Sequence, residues 1–594
     1  MKLLLHEAIY HAPKDEYCYA LDSETIRVTV RVRRGDVCRG EVWLTDRYSY
    51  EGLAPRMSAT ALRLAGNDRL YDYWYADVSI ETRRPKYIFR LFEGEGESSG
   101  SWFGELGLTE ARPEEGWFEF PYIAAADIVR HPEWFQRAIF YQIGVDRFYN
   151  GDKSNDPPGV LPWGEPPTMT TFFGGDLDGI VSKLDYLSEL GINALYLNPL
   201  FLAPSTFKYD TADYYQIDPH FGGNEAFDRL LAACRERRIR IILDAVFNHA
   251  GLLFAPFRSV AEHGPKSAYY EWFQIREWPL VMEEPHQSYH TFAYTARMPK
   301  LRHDHPEVRR YLLDVAAYWT RKGIDGWRLD VANEIDHAFW REFRQVVRGI
   351  NPEAFILGEV WLDGTTWLQG DQFDSITNYM FRSAVLDFFA YGKIGVRELD
   401  ERLFSARVRY KEQTGHVLFN LIGSHDVPRI LDLCGDSVDR VKLATAFLFA
   451  YPGIPMIYYG DEVGMKGGDF VQARRCMVWD EERQNRELLE LYRSCARWRR
   501  EYAPLTQGTF RKLYADERQS VYGFARECRD EAVWAFFHNA PGKAAVHMEA
   551  PAGARLVDIA SGKQAVEQGG KIKLELESFG FTLLYTQTTG GHQS

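Results

Sequence analysis

The chain has 594 residues, too many for one compact domain and enough for about four units, or fewer if one is a barrel. With 45% apolar and 26% charged residues it has the ordinary globular mixture, which excludes disorder as its overall state. A formal charge of −14 argues against nucleic acid, acidic polysaccharide or an anionic membrane as the main partner, because each of these selects a basic surface.

In chain order, residues 1–122 read as β. The opening run Leu3-Leu4-Leu5 is too short for a signal peptide, and charge follows at Glu7. Thr25–Val32 alternates polar and apolar residues with period two, and Gly40–Leu44, Tyr73–Ile80 and Lys86–Phe92 resemble it. Short strands separated by Gly, Asp and Pro predict a β-sandwich. The glycine-rich Gly94–Gly100 misses dinucleotide spacing and has no following helix, so it reads as a hairpin turn.

Residues 123–505 have a different texture. Short apolar runs, among them Ala138–Ile143, Ala194–Leu197, Ile239–Val246, Gly326–Asp330, Phe355–Glu359, Val417–Leu421 and Pro455–Tyr459, alternate with helical patterns such as Gly179–Leu190, Ala226–Arg237 and Pro306–Lys322. That alternation predicts a parallel sheet, and repeats of this number and length fit a closed (β/α)8 TIM barrel. The stretch of about 250–302 is too long for a barrel loop and reads as a subdomain inserted after strand 3. Residues 506–594 return to alternation, at Ser520–Ala525, Ala532–Phe537 and Lys571–Leu576, which predicts a C-terminal antiparallel β domain with a frayed tail from Thr588. The fold class is therefore multidomain α/β. No run approaches the ~18 apolar residues of a membrane span. The seven cysteines are widely spaced and form no CxxC pair, the pattern of buried, reduced thiols in a cytoplasmic protein.

Four acid-bearing motifs end predicted strands: Asp244 in DAVFNH, Asp330 in GWRLD, Glu359 in ILGE and Asp426 in GSHD. Any one of them alone reads as a helix cap or an ion-pair member. Together they converge on the one barrel face where active sites lie. Asp330 and Glu359 are separated by one β/α unit, which puts them on neighbouring strands, and two carboxyls facing across a cleft are what glycosidic cleavage requires. Arg328, two residues before Asp330, points the same way and is expected to keep it ionised. Glu359, between Leu357-Gly358 and Val360-Trp361, is expected to hold its proton in an apolar setting. His249 and His425 add donors beside the cleft. Separately, Asn150-Gly-Asp152-Lys-Ser-Asn155-Asp156 and Gly174-Gly-Asp176 crowd oxygen-bearing groups together, as a hard cation or a plain Asn/Asp/Gly turn would require.

These motifs, with Lys208–Tyr214, Met298–Leu301 and Tyr458–Gly464, resemble the α-amylase family of glycoside hydrolases. Val331-Ala-Asn-Glu334 and the N-terminal β domain point within it to the cyclomaltodextrinase/neopullulanase/maltogenic amylase branch. The resemblance implies Asp330 as nucleophile, Glu359 as general acid/base and Asp426 as transition-state stabiliser of a retaining mechanism. It implies Arg328, His249 and His425 on the reacting sugar and the nucleophile, and Tyr209 stacked on that sugar. Asn333, Glu334 and Trp361 fall on the acceptor side, and Arg474 among the substrate ligands. It further implies a structural Ca²⁺ at Asn150, Asp152, Asn155, Asp156, Gly174 (carbonyl) and Asp176, and a homodimer. The implied substrates are α-glucan oligosaccharides and cyclodextrins. The sequence departs from the branch at Phe207 and Leu362, where His is frequent, at Arg302, where Asn is usual, and at Gln472, where an acid is common; these positions bear on substrate preference. A non-catalytic glucan-binding protein, a transferase or an α-1,6-specific hydrolase would share much of the pattern.

Overall fold

Residues 4–48, 57–93, 100–549, 555–568 and 571–587 are described by the structure, a computed structural model. The Gly94–Gly100 turn, but for its last residue, and the tail from Thr588 lie outside them. The chain forms two compact units.

The first unit takes Met1–His131 with Thr365–Gly370 and Arg397–Gly415. One antiparallel sheet orders Cys18–Ala20, Thr25–Arg33, Tyr71–Ser79 and Arg63–Asn67. The other orders Ser58–Ala61, Arg39–Asp46, Pro85–Phe92, Gly100–Gly104 and Gly107–Thr109, with Phe118–Glu119 beside Pro85–Phe92. Ile26, Val28, Val30 and Val32 of one sheet meet Val42, Phe89 and Leu91 of the other in a shared core, so period-two alternation builds a sandwich. Ile123 and Ile128 belong to this core, which carries the unit on to His131.

The second unit takes Pro132–Gly364, Asp371–Val396 and His416–Ser594. Eight parallel strands close a barrel: β1 (Phe140–Ile143), β2 (Ala194–Leu197), β3 (Arg240–Ala245), β4 (Gly326–Leu329), β5 (Phe355–Gly358), β6 (Ser375–Asn378), β7 (Phe419–Leu421) and β8 (Ile454–Tyr458). Closure comes from β1 pairing with β8, Phe140 opposite Met456. Between β3 and β4 the chain makes a helix at Ala255–His263 and short turns, tied by bridges such as His249–Lys300 and Thr291–Pro299, before the helix Pro306–Lys322. Two further antiparallel groups follow the barrel, one of five strands from Thr509–Asp516 onward and one of three. Phe524 and Phe537 of the larger sheet pack on Phe447 of the barrel helix Val438–Ala450. Of the seven free thiols, five are buried; Cys38, on the bend before Arg39–Asp46, is exposed, and Cys528, the last residue of Val521–Cys528, is half-buried.

Candidate active site

The barrel interior changes character along its axis. Phe140, Tyr196, Ile242, Phe355, Leu357, Phe419, Leu421, Ile454 and Met456 fill it as one apolar cluster. Two residues further on, the same inward faces carry Gln142, Asn198, Asp244 and Glu359, because side chains repeat their direction every second residue. Arg328 faces inward at the same level, where it is the register partner of Asp244. Asp330 and Glu359 each lie one residue past their strands, and the backbone ladder still holds them: Asp330 N–H donates to Ala245 O at 3.1 Å and Glu359 N–H to Leu329 O at 2.9 Å.

Arg328 joins three carboxyls. Its Nη1 donates to Asp244 Oδ1 (2.9 Å) and Asp330 Oδ1 (2.7 Å), and its Nη2 lies 2.9 Å from Glu359 Oε2. Glu359 Oε2 also accepts from Val331 N–H at 2.9 Å, and Oε1 from Trp361 Nε1 at 3.1 Å. Val331 adopts φ 46°, the left-handed region, which a β-branched residue occupies only under strain. The apolar setting expected for Glu359 is thus not what surrounds it; both its oxygens have hydrogen-bond donors. Arg328 stands beside Asp330 as the two-residue spacing predicts. Burial pushes its carboxyl well above the usual range; Arg328 opposes this, and Glu359 and Asp244 add to it. Burial likewise raises Asp244 to about 6 against the pull of Arg328. One guanidinium is thus shared among three carboxyls, those of Asp244, Asp330 and Glu359.

Asp426 lies across from this cluster. Its Oδ1 accepts from Arg474 Nη2 at 3.2 Å, and its Oδ2 is 3.2 Å from His425 Nε2. Burial raises its carboxyl, opposed by Arg474 and Arg328. The Gln142 amide nitrogen stands 2.6 Å from His425 Nδ1; an amide nitrogen only donates, so Nδ1 accepts and the ring proton sits on Nε2, facing Asp426 and the Tyr209 hydroxyl (2.6 Å). Burial, Arg474 and Arg328 hold His425 well below the usual imidazole range, and the ring is neutral. The Tyr209 hydroxyl also meets Asp244 Oδ2 (3.2 Å) and Asn198 Nδ2 (3.1 Å), fixing the ring at the wall of a cavity lined by Asn198, Phe207, Tyr209, His425 and Arg474.

The other residues singled out in the sequence have varied surroundings. His249 is fully buried, pushed down to about 3 by burial, and its Nε2 is 3.1 Å from the Tyr209 carbonyl, so the ring holds backbone rather than facing the cleft. Asn333 and Glu334 are exposed on the turn Ala332–Glu334, with Glu334 paired to Lys300. Trp361, 45% exposed, stacks on Tyr379 at 4.0 Å. Gln142, Tyr196, Asn198, Lys300, Tyr379 and Ser424 were not anticipated; a buried Gln inside the apolar run of β1 was the one available signal. Tyr379 hydroxyl and Asp426 N–H both meet Ser424 Oγ, at 3.1 and 3.2 Å.

The oxygen-rich segments converge. Asp176 accepts from Gly151 N–H, Asp152 N–H, Asn155 Nδ2 and Gly179 N–H, and Asp156 Oδ1 accepts from Asn150 Nδ2. The amide oxygens of Asn150 and Asn155 are buried without a hydrogen-bond partner. Gly174 has φ +76°, and a Cβ there would lie 2.1 Å from Asp156 Oδ1, so only glycine permits this approach. Asp152 is exposed and its carboxylate accepts from Ser154 instead. Among the described residues no group of three or more His, Cys, Asp or Glu is arranged to hold a metal ion by those side chains alone. The donors are amide and carbonyl oxygens with carboxylates, the chemistry of a hard cation.

Family models match both parts of the chain: "Alpha amylase, catalytic domain" over residues 142–520 and "Alpha amylase, N-terminal ig-like domain" over 4–124. A neopullulanase 2 from Thermoactinomyces vulgaris is 44% identical over 98% of this chain and 100% of its own. A cyclomaltodextrinase from Geobacillus thermopakistaniensis is 44% identical over 97% of this chain and 98% of its own. A solved structure of a cyclomaltodextrinase superposes with a TM-score of 0.93 at 40% identity, covering 98% of this chain and 100% of the other.

Proposed function

The chain belongs to the α-amylase family of glycoside hydrolases, and from that premise we propose that it cleaves α-1,4-glucosidic bonds of cyclomaltodextrins and short maltooligosaccharides with retention, releasing mainly maltose. The observation that carries the mechanism is Arg328 holding the Asp330 and Glu359 carboxyls side by side. Asp330 attacks the anomeric carbon while Glu359 gives its proton to the departing glycosidic oxygen. The resulting glycosyl–Asp330 ester is opened by water, whose proton returns to Glu359. Asp426, with Arg474 and His425 behind it, meets the positive charge that develops on the ring. Tyr209 forms the floor of that subsite, and Asn333, Glu334 and Trp361 line the acceptor side. A sugar hydroxyl in place of water gives transglycosylation from the same ester.

The name of the neopullulanase 2 relative favours pullulan cleavage, to panose, as the second reading. Initial rates on β-cyclodextrin, pullulan and soluble starch separate the two: cyclodextrin is expected to be the fastest, and starch hydrolysed as fast would sink the preference for small substrates. Glu359→Gln is expected to lower kcat by about 10²–10⁴-fold while glucan binding persists. Unchanged turnover would overturn the assignment, and a wild-type chain that binds glucan without turnover would make it a binding protein.

A structural Ca²⁺ is part of this reading. Asn150, Asn155, Asp156, Asp176 and the Gly174 carbonyl would hold it, supported by the two unpartnered amide oxygens, and it would brace the segment after β1 without entering the chemistry. A homodimer is the further expectation from the branch resemblance, read by sedimentation as twice the 68.7 kDa chain mass. The seven unpaired thiols support a cytoplasmic setting. No helix among the described residues is long and apolar enough to cross a membrane.

A further inference from the structure

We propose that Phe207 and Phe470 clamp Arg474 between their rings, and that Arg474, so held, is a positioning residue for Asp426 rather than a sugar ligand. The guanidinium carbon lies 4.0 Å from the ring centroid of Phe207 and 3.8 Å from that of Phe470. Both faces of the cation are therefore covered. Its edge is committed as well: Nε donates to the His425 carbonyl at 2.7 Å and Nη2 to Asp426 Oδ1 at 3.2 Å. Only 4% of the residue is exposed. A guanidinium placed this way grips the backbone of His425 and the side chain of Asp426 together and fixes the direction from which the carboxylate faces the cleft. The rings supply what holds it, since a cation over an aromatic face is attracted to the ring quadrupole most strongly where water is excluded. Phe470 is 40% exposed, so its place over the cation is not explained by burial in the core.

The kinetic part of this inference rests on the glucan-hydrolase reading; the geometric part does not. Two variants separate ring from bulk: Phe470→Leu keeps apolar volume without an aromatic face, and Phe470→Tyr keeps the face. On maltotriose, Phe470→Leu is expected to lower kcat by about 3–30-fold with KM changed less than about twofold, and Phe470→Tyr to restore kcat. The crystal structure of Phe470→Leu is expected to show Arg474 Nη2 moved out of hydrogen-bond distance from Asp426. A wild-type kcat in Phe470→Leu overturns the proposal. So does a loss confined to KM with the Arg474–Asp426 contact intact, which would make the ring itself a sugar platform. If the wild-type chain hydrolyses no glucan, the functional reading fails; the Leu structure then still decides the clamp, an intact contact refuting it and a broken one supporting it.

Discussion

At the scale of single residues, three of the acid motifs were readable because Asp244, Asp330 and Glu359 continue the inward faces of their strands, whereas Asp426 lies on a turn beyond β7. Asp330 follows Arg328, and Glu359 follows Leu357, at the two-residue repeat that a strand imposes. Partners from distant segments were not readable this way. Nothing local announces that His249 would turn to the Tyr209 carbonyl, or that Glu359 would accept from a strained Val331 and from Trp361. Buried histidines also set a pH dependence. His303, whose Nε2 is 2.8 Å from the Phe247 carbonyl, is pushed down to about 4 by burial, against about 6.5 for the unfolded chain. Between those values the unfolded chain binds a proton that the folded chain refuses, so this contribution to stability is lost as pH falls from about 6.5 to about 4. Asp244 and Asp461, raised by burial to about 6 and about 7, act oppositely: the folded chain keeps protons there, and stability falls as pH rises through that range. The wild-type curve mixes both signs, and the difference between wild type and His303→Gln isolates one. Urea unfolding at about pH 4.5 and about pH 6 is expected to show that difference changing by up to about 1.4 kcal/mol per pH unit. Parallel curves would mean that His303 titrates normally in the fold.

At the scale of elements, the apolar runs located seven of the barrel strands. The missing one, β6, reads Ser-Ile-Thr-Asn, with a single apolar residue among four. It is a strand because β5 and β7 flank it in the ring, and closure fixes a partner that local pattern does not. Gly326 opens β4, where the neighbouring backbone comes close: a Cβ there would stand 2.2 Å from the Phe355 carbonyl. Gly326→Ala is expected to cost about 1–3 kcal/mol in chemical denaturation and to lower activity with it, since β4 carries Arg328 toward Asp330. Wild-type stability in that variant would show that the two strands can part without consequence. The 150–176 region makes its own prediction. If a cation satisfies the Asn150 and Asn155 oxygens, a chelator should lower the melting temperature and Ca²⁺ restore it, whereas Asn150→Ala should abolish that response. A melting curve indifferent to chelator would leave the segment an ordinary Asn/Asp turn.

At the scale of the whole molecule, the alternating β texture at both ends and the β/α texture between them were visible from composition and period alone. The compact units were less so, because Thr365–Gly370 and Arg397–Gly415 group with the N-terminal sandwich although they follow β5 and β6 in the chain. Contacts far apart in sequence carry no periodic signal. The same remoteness governs the pairing of β1 with β8, Phe140 beside Met456. A ring is not finished until its last member exists. While the ribosome is still adding the segment before Ile454, β1 has one side without its partner, and so has β7. Unpaired strand sides invite pairing with other chains. A chain stopped after Gly453 should therefore be open to protease around β1 and prone to aggregate, and limited proteolysis of that fragment beside the full chain checks it. For this protein, the hazardous interval of biosynthesis ends only when the eighth strand emerges.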